Sequence, residues 1–271
     1  MPRSAKSEPP FEDSRDYVQS LARGLSVLRA FDGEHSRLSL AEIATRSNLS
    51  RAAARRLVLT LQHLGYVRGG GREFVLSPSV LELGFGYLDS LNLTEIATPL
   101  LEELARKVDQ SSSMAVLDGQ SIVYVLRVPG RRIMSVRLGV GARLPACSAS
   151  LGRVLLSGLT EDGLRAWMRN CRPTRYTAHT VVDKDELLRI VGQVRNLGYA
   201  YIEQELELGL CSISVPVRNA QGEIASAINV SLPFQPQARQ QAISQVLPQL
   251  QRTAKAIEAC VPTHLLPTVS P

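Results

Sequence analysis

Residues 39–67, "SLAEIATRSNLSRAAARRLVLTLQHLGYV", hold two short helical patterns about four residues apart, and few architectures accommodate that. The first pattern opens at Ser39 with Glu42 three residues on, a capping box in which hydroxyl and carboxylate each close a free helix amide. Its apolar side is Leu40, Ile43 and Ala44. The second takes Ser50 as N-cap and repeats Ala54, Leu57, Val58, Leu61 and Leu64 at helical spacing. Two such helices on one tight turn predict a helix-turn-helix.

The other side of the second helix points to its use. Arg51, Arg55 and Arg56 share it, and the alanines at 52, 53 and 54 leave little bulk to hold a groove away. Ala53 stands where the first helix has its acid, so the dipole and amides of the second helix face an external anion. Upstream, "VQSLARGLSVLRAFD" places Leu21, Leu25 and Leu28 on one stripe, with Phe31 near its end. Downstream, "GYVRGGGREFVLSP" predicts two short strands around three glycines, a wing whose Arg68 and Arg72 lie along a phosphate backbone or in a minor groove. Between Arg15 and Glu73 ten arginines face five acids, a balance of +5 out of +6 for the whole chain. That is an electrostatic footprint for phosphates. The expected partner is double-stranded DNA, and the candidate contacts are Ser39, Ser50, Arg51, Ala52, Arg55, Arg56, Arg68 and Arg72.

The DNA-binding domain is expected over 15–77, after a polar, proline-bearing arm at 1–14 that has no apolar signal core. Residues 78–93 form a connector helix with two apolar sides: Leu81, Phe85 and Leu88, and Val80, Leu83, Tyr87 and Leu91. Either one side suits the chain itself and one a second copy, as in a homodimer, or the segment is a simple interdomain helix. No apolar run reaches the roughly 18 residues of a membrane span. Cys147, Cys171, Cys211 and Cys260 lack any Cys-x-x-Cys pairing, and the four histidines are dispersed. Neither a metal site nor a cofactor is expected, and the reading is a reduced, cytoplasmic protein.

Residues 94–260 change character. An amphipathic helix from Thr94 precedes strands "SSSMAVLDG", "SIVYVLRV" and "RIMSVRLG", with turns at Asp118-Gly119 and Pro129-Gly130. Helices follow near 150–170 and 183–197, then strands "YAYIEQE", "CSISVPVRN" and "GEIASAINVSL", and a final helix over 236–259. Strands flanking central helices predict an α+β domain with an antiparallel sheet, followed by a flexible tail at 261–271. Alternation puts Ser212 and Ser214 opposite Cys211, Ile213 and Val215, and Asn229 and Ser231 opposite Ile228 and Val230. If those strands are neighbours, the sheet has one small-polar face that either lines a ligand cavity or meets solvent. No nucleophile–base pair, Gly-x-Ser-x-Gly elbow or phosphate loop is present. Cys147 leaves two further readings open, a redox-sensing regulator or a thiol enzyme carrying a DNA-binding module.

Together, "SLARGLSVLRAF", "LSLAEIATRSNLSRAAARRLVLTLQHLGYV", "VGARLPACSASLGRVLLSGL" and "LELGLCSISVPV" resemble the IclR family of bacterial transcription regulators over nearly the full chain. "SRAAARR" and "GARLPACSASLGRVLL" are most similar to its regulators of aromatic-acid and β-ketoadipate catabolism (the PcaU, PcaR and PobR type). The resemblance implies an N-terminal winged helix-turn-helix, a C-terminal GAF-like effector domain, and a dimer or dimer of dimers answering to a small organic acid. It maps the effector pocket onto Ser148, Ala149, Ser150 and Leu151, onto Leu210 and Ser212, and onto Asn229 and Ser231. An acid needs a cation or several donors: Arg137 on "RIMSVRLG" is the first candidate and Arg127 the competing one. Ser148 and Ser150 would otherwise hold a carboxylate at a helix start, while Glu203 and Glu205 either bind a ligand hydroxyl or, more simply, are two exposed acids.

Overall fold

The computed structural model describes residues 11–84, 93–130 and 139–260. The chain divides into two compact units, residues 1–87 and 88–271, so the division falls inside the expected connector. Phe85, Tyr87, Leu88 and Leu91 of that connector, and Arg137 with most of the strand expected around it, lie outside the described residues.

In the first unit, α1 (Gln19–Arg29), α2 (Leu40–Arg46) and α3 (Arg51–His63) precede a hairpin of β1 (Val67–Gly70) and β2 (Glu73–Leu76). The capping box at α2 is complete: Ser39 N–H donates to Glu42 Oε2 at 2.8 Å, and Glu42 N–H donates to Ser39 Oγ at 3.3 Å. The α2–α3 turn passes through Asn48 at φ 54°, a left-handed position in which asparagine is enriched several-fold. Val27, Ile43, Ala54, Val58 and Phe74 close the core between the helices and the hairpin. Two details depart from the periodicity. Leu21 and Leu25 are exposed, because α1 turns its Val27, Ala30 and Phe31 side inward; Leu64 is exposed because it sits on the helix C-cap, past the last packed turn.

The second unit is built on one antiparallel sheet. Its elements are α4 (Leu93–Val108), β3 (Ser111–Asp118), β4 (Ser121–Val128), β5 (Arg143–Pro145), α5 (Ser150–Leu156), α6 (Glu161–Asn170), α7 (Lys184–Leu197), β6 (Ala200–Glu203), β7 (Leu210–Arg218), β8 (Ile224–Pro233), α8 (Ala238–Gln241) and α9 (Leu247–Cys260). The strand order is β5-β4-β3-β8-β7-β6. Leu101 and Leu104 of α4 and Leu250 of α9 pack with Met114, Ile228 and Val230 on one face. On the other, Leu151 and Leu155 of α5, Trp167 of α6 and Leu187 of α7 pack with Ala115 and Ala227. Fully burying such a leucine stabilises the fold by ~1.5–3 kcal/mol. The helix expected across 150–170 is two helices, because Thr160 caps a fresh start by accepting from Gly163 N–H at 3.1 Å. The final helix reaches Cys260 through a π-helical turn at Ala242–Val246.

Candidate functional site

The strand alternation read from sequence becomes a site because β7 and β8 are register neighbours. Ser212 pairs with Ser231 and Ser214 with Asn229, so their side chains share one face. β3 continues the row, with Ser113 opposite Asn229. On β4, Ser113 faces Arg127, although Arg127 and Tyr124 are three residues apart and a regular strand would send them to opposite faces. A β-bulge between Met114 and Ala115 in the register resolves this. It leaves Val125 and Leu126 both in the α4/α9 core and turns Tyr124 and Arg127 to the other side.

These residues line one hollow. Its walls include Tyr124 and Arg127 of β4, Ser148 to Leu151 at the start of α5, Glu205 to Glu207 before β7, and Leu210, Ser212, Asn229 and Ser231. All eight described pocket residues expected from the sequence are therefore in one place. The hollow measures about 500 Å³ counted out to its open mouth.

Hydrogen bonds fix the floor. Ser150 Oγ lies 2.7 Å from Ser212 Oγ and 2.6 Å from Ser214 Oγ, which ties α5 to β7. Its hydroxyl is thereby committed to the scaffold instead of standing open at the helix start. Asn229 Nδ2 donates to Ser212 Oγ at 2.9 Å, and its Oδ1 is buried with no hydrogen-bond partner. Close below, Gly152 admits α5 against the 146–148 turn: a Cβ there would stand 2.0 Å from Ala146 O. Burial pushes the Tyr124 phenol up to about 12, with the Arg127 charge pulling the other way, so the phenol is a neutral donor at neutral pH.

Glu205 corrects the expectation of an exposed acid. It is 6% exposed and takes both Nη atoms of buried Arg153 at 2.8 Å. Val181 N–H also donates to it at 3.1 Å. Neither residue carries a local sequence signal for this pairing. Glu203 is half-buried and accepts from the Tyr201 hydroxyl at 3.2 Å. Cys147, next to Ser148 of the hollow, is buried, as are Cys171 and Cys211. Among the described residues no group of His, Cys, Asp and Glu suits a metal.

In the first unit the outer face of α3 carries Arg51, Ala52, Arg55 and Arg56, all exposed, while Ala54, Val58 and Leu61 are buried. Ser50 Oγ accepts from Ala53 N–H at 3.3 Å, so one of the amides expected to face an anion is already closed. Ser39 is likewise engaged in its capping box. Arg68 and Arg72 are exposed on the hairpin, and Gln62 Nε2 donates to Gly69 O at 2.5 Å, holding the wing against α3. A helix and a wing presenting five exposed arginines and Ala52 on one unit is an arrangement that fits a major groove with flanking phosphates.

Comparison with known proteins covers both units. Residues 20–70 match the family model described as the IclR helix-turn-helix domain, and residues 85–259 match the bacterial transcriptional regulator IclR C-terminal model. The chain is 40% identical to the Pca regulon regulatory protein of Pseudomonas putida over 228 residues, 84% of this chain and 78% of that protein. It is 36% identical to the p-hydroxybenzoate hydroxylase transcriptional activator of Acinetobacter baylyi over 253 residues, covering 92% and 93% of the two. Among solved structures, an IclR homologue from Microbacterium hydrocarbonoxydans complexed with 4-hydroxybenzoate superposes with a TM-score of 0.78 at 25% identity, over 89% of this chain and 98% of that one.

Proposed function

The chain belongs to the IclR family of bacterial transcriptional regulators and acts by binding DNA, and we propose that a small aromatic acid held in the β7/β8 hollow controls it. The observation that carries this reading is the convergence of Arg127, Tyr124 and the Ser212–Asn229–Ser231 row on one cavity. Arg127 supplies the cation for a carboxylate, and charge-assisted pairing of that kind is about twice as strong as a neutral hydrogen bond. The polar row meets the far side of the ring, and Leu144, Ile202 and Leu206 supply apolar walls. Two relatives support an aromatic acid: the p-hydroxybenzoate hydroxylase transcriptional activator and the homologue solved with 4-hydroxybenzoate.

The DNA contacts in this reading are Arg51, Ala52, Arg55 and Arg56 in the major groove, with Arg68 and Arg72 on the backbone alongside. Ser39 and Ser50 set the helix starts. A homodimer, or a dimer of dimers, brings two α3 helices to half-sites one helical turn apart. The ligand acts by favouring one dimer arrangement, and only its difference in affinity between arrangements drives the response. The site of action is the cytoplasm.

Thermal-shift titration of the full chain with benzoate-type acids, followed by mobility shift on DNA upstream of aromatic-catabolic genes, tests this. Stabilisation by an aromatic acid, lost in Arg127→Met, is expected. Stabilisation by aliphatic dicarboxylates with none by aromatic acids would overturn it.

A further inference from the structure

We infer that residues 169–176 of the second unit are a docking surface for an acidic segment of another protein, with Arg169, Arg172 and Arg175 as its cations and Tyr176 as its apolar anchor. None of these residues lines the hollow, and α3 with its DNA face belongs to the first unit.

Charge singles the segment out. From Gly163 to Val182 the chain carries four arginines and neither an acid nor a lysine. Arg165 is answered by Glu161 at 3.8 Å. Arg169, Arg172 and Arg175 are exposed and, among the described residues, stand in no ion pair. The charges that follow are engaged elsewhere. Asp183 caps α7 by accepting from Glu186 N–H at 2.8 Å, and Lys184 Nζ donates to Arg169 O at 3.1 Å. The excess positive charge thus rests on three guanidiniums at every third position of one short segment.

The segment is irregular yet pinned. Pro173 disfavours helical geometry at Arg172, and the chain leaves α6 extended at buried Cys171, with φ −65° and ψ 137°. At the other end Thr180 Oγ1 accepts from Tyr176 N–H at 3.0 Å and from Thr177 N–H at 2.8 Å, and donates to Glu205 O at 2.6 Å. Thr177 Oγ1 donates to Gln204 O at 2.6 Å. The backbone behind the arginines is therefore bolted to the strand approach that carries Glu205, itself fixed by Arg153. A surface held in shape this way loses less freedom on binding than a loop that must order itself.

The residue types favour a protein over a nucleic acid. Arginine and tyrosine are enriched where protein partners meet, and lysine is depleted there. The guanidinium fork takes a carboxylate through two parallel hydrogen bonds, which an ammonium does not. Tyr176 is 48% exposed, directly beside Arg175 in the chain. A duplex backbone is met by cations and other hydrogen-bond donors. A bare ring among the cations suits a segment in which an apolar side chain sits between carboxylates.

Fluorescence anisotropy of a labelled peptide with six glutamates around two leucines, titrated with the full chain at physiological salt, tests this. Arg169→Ala combined with Arg172→Ala is expected to weaken peptide binding roughly ten-fold or more. Among the described residues neither guanidinium is tied to the rest of the chain, so the thermal midpoint of this variant is expected to stay at the wild-type value. Tyr176→Ala is expected to weaken the peptide several-fold without changing the salt dependence. Arg55→Ala, in the first unit, is expected to leave peptide binding within about two-fold. Absence of peptide binding, equal binding by wild type and the double variant, or a larger loss for Arg55→Ala overturns the inference. The same proteins are titrated with a double-stranded DNA fragment, where the double variant is expected to match wild type. A loss on DNA with none on the peptide assigns the surface to phosphates and overturns the inference as well.

Discussion

Arg153 and Glu205, fifty-two residues apart, meet as a two-armed ion pair with both contacts at 2.8 Å and side chains 4% and 7% exposed. Arg153 Nε also donates to Cys147 O at 3.0 Å, and Glu205 O accepts from Thr180 Oγ1 at 2.6 Å. The pair therefore fastens the 146–148 turn, the 177–181 segment and the strand approach before β7 at the rim of the hollow. Arg153→Met should destabilise the chain by about 3–5 kcal/mol, since it strands a buried carboxylate. Arg153→Met with Glu205→Leu should lose clearly less than the two single changes summed. Denaturant unfolding of the three variants measures it; additive losses would show that the ions do not act as a pair.

Gly69 and Gly70 stand side by side in β1 yet should respond differently to alanine. Gly69 has φ +107°, and a Cβ there would lie 2.4 Å from Glu73 O, whereas nothing comes within 4 Å of a Cβ on Gly70. Gly69→Ala should therefore distort the hairpin and cost more than the ~1 kcal/mol of a simple glycine replacement, with weaker DNA binding as the wing shifts. Gly70→Ala should leave both within about 0.5 kcal/mol. Thermal melts and mobility shifts on the pair of variants check this, and equal effects would refute the contrast.

Access, not ionisation, should govern the thiols. The Cys171 S–H beside Cys147, helped by Ser148 and the Arg153 charge, draws the Cys147 thiol down to about 6. Cys171 is pushed well above the ordinary range by the same contact. A lowered pKa in the folded state means that stability rises as pH climbs from about 6 toward 9 and is lost as pH falls through 6. Above 9 the Cys171 shift opposes it. Cys147→Ser should flatten the rise between pH 6 and 9 in urea midpoints. Because Cys147, Cys171 and Cys211 are buried and Cys260 is exposed, a thiol reagent should label Cys260 fast in the native protein and the others only on unfolding. Fast native labelling of Cys147 would favour a redox sensor.

Much of this was legible in the linear chain because it is local. The capping box at Ser39, the N-cap at Ser50 and the period-two alternation through Ser212 and Asn229 depend on residues a few positions apart, where propensity and periodicity speak directly. The Arg153–Glu205 pair was not legible, since a tertiary contact across 52 residues leaves no spacing to read. The bulge at Val125 was hidden for a related reason: only the register with β3 reveals the extra residue, and with it the turning of Arg127 into the hollow. On α1, Leu21 and Leu25 repeat as regularly as a core stripe, and the packing side was chosen by neighbours the periodicity does not contain.

The arginines of α3 and of α4 offer the sharpest test of the DNA face. Arg55 and Arg106 are both exposed helical arginines with the same charge, so a loss of bulk electrostatics treats them alike. Arg55 lies on the α3 face whose far side, Ala54 and Val58, is buried in the helix-turn-helix core, which fixes its direction outward. Arg106 lies on α4 in the other unit, near the Lys107–Glu103 pair. If α3 enters the groove, Arg55→Ala should cost about 1–3 kcal/mol on the specific site and, where it meets a phosphate, lower the salt slope by roughly one. Arg106→Ala should leave both nearly unchanged. Binding isotherms for the two variants at several salt concentrations, on operator and on scrambled DNA, measure it. A larger loss for Arg106→Ala than for Arg55→Ala would remove α3 from the interface.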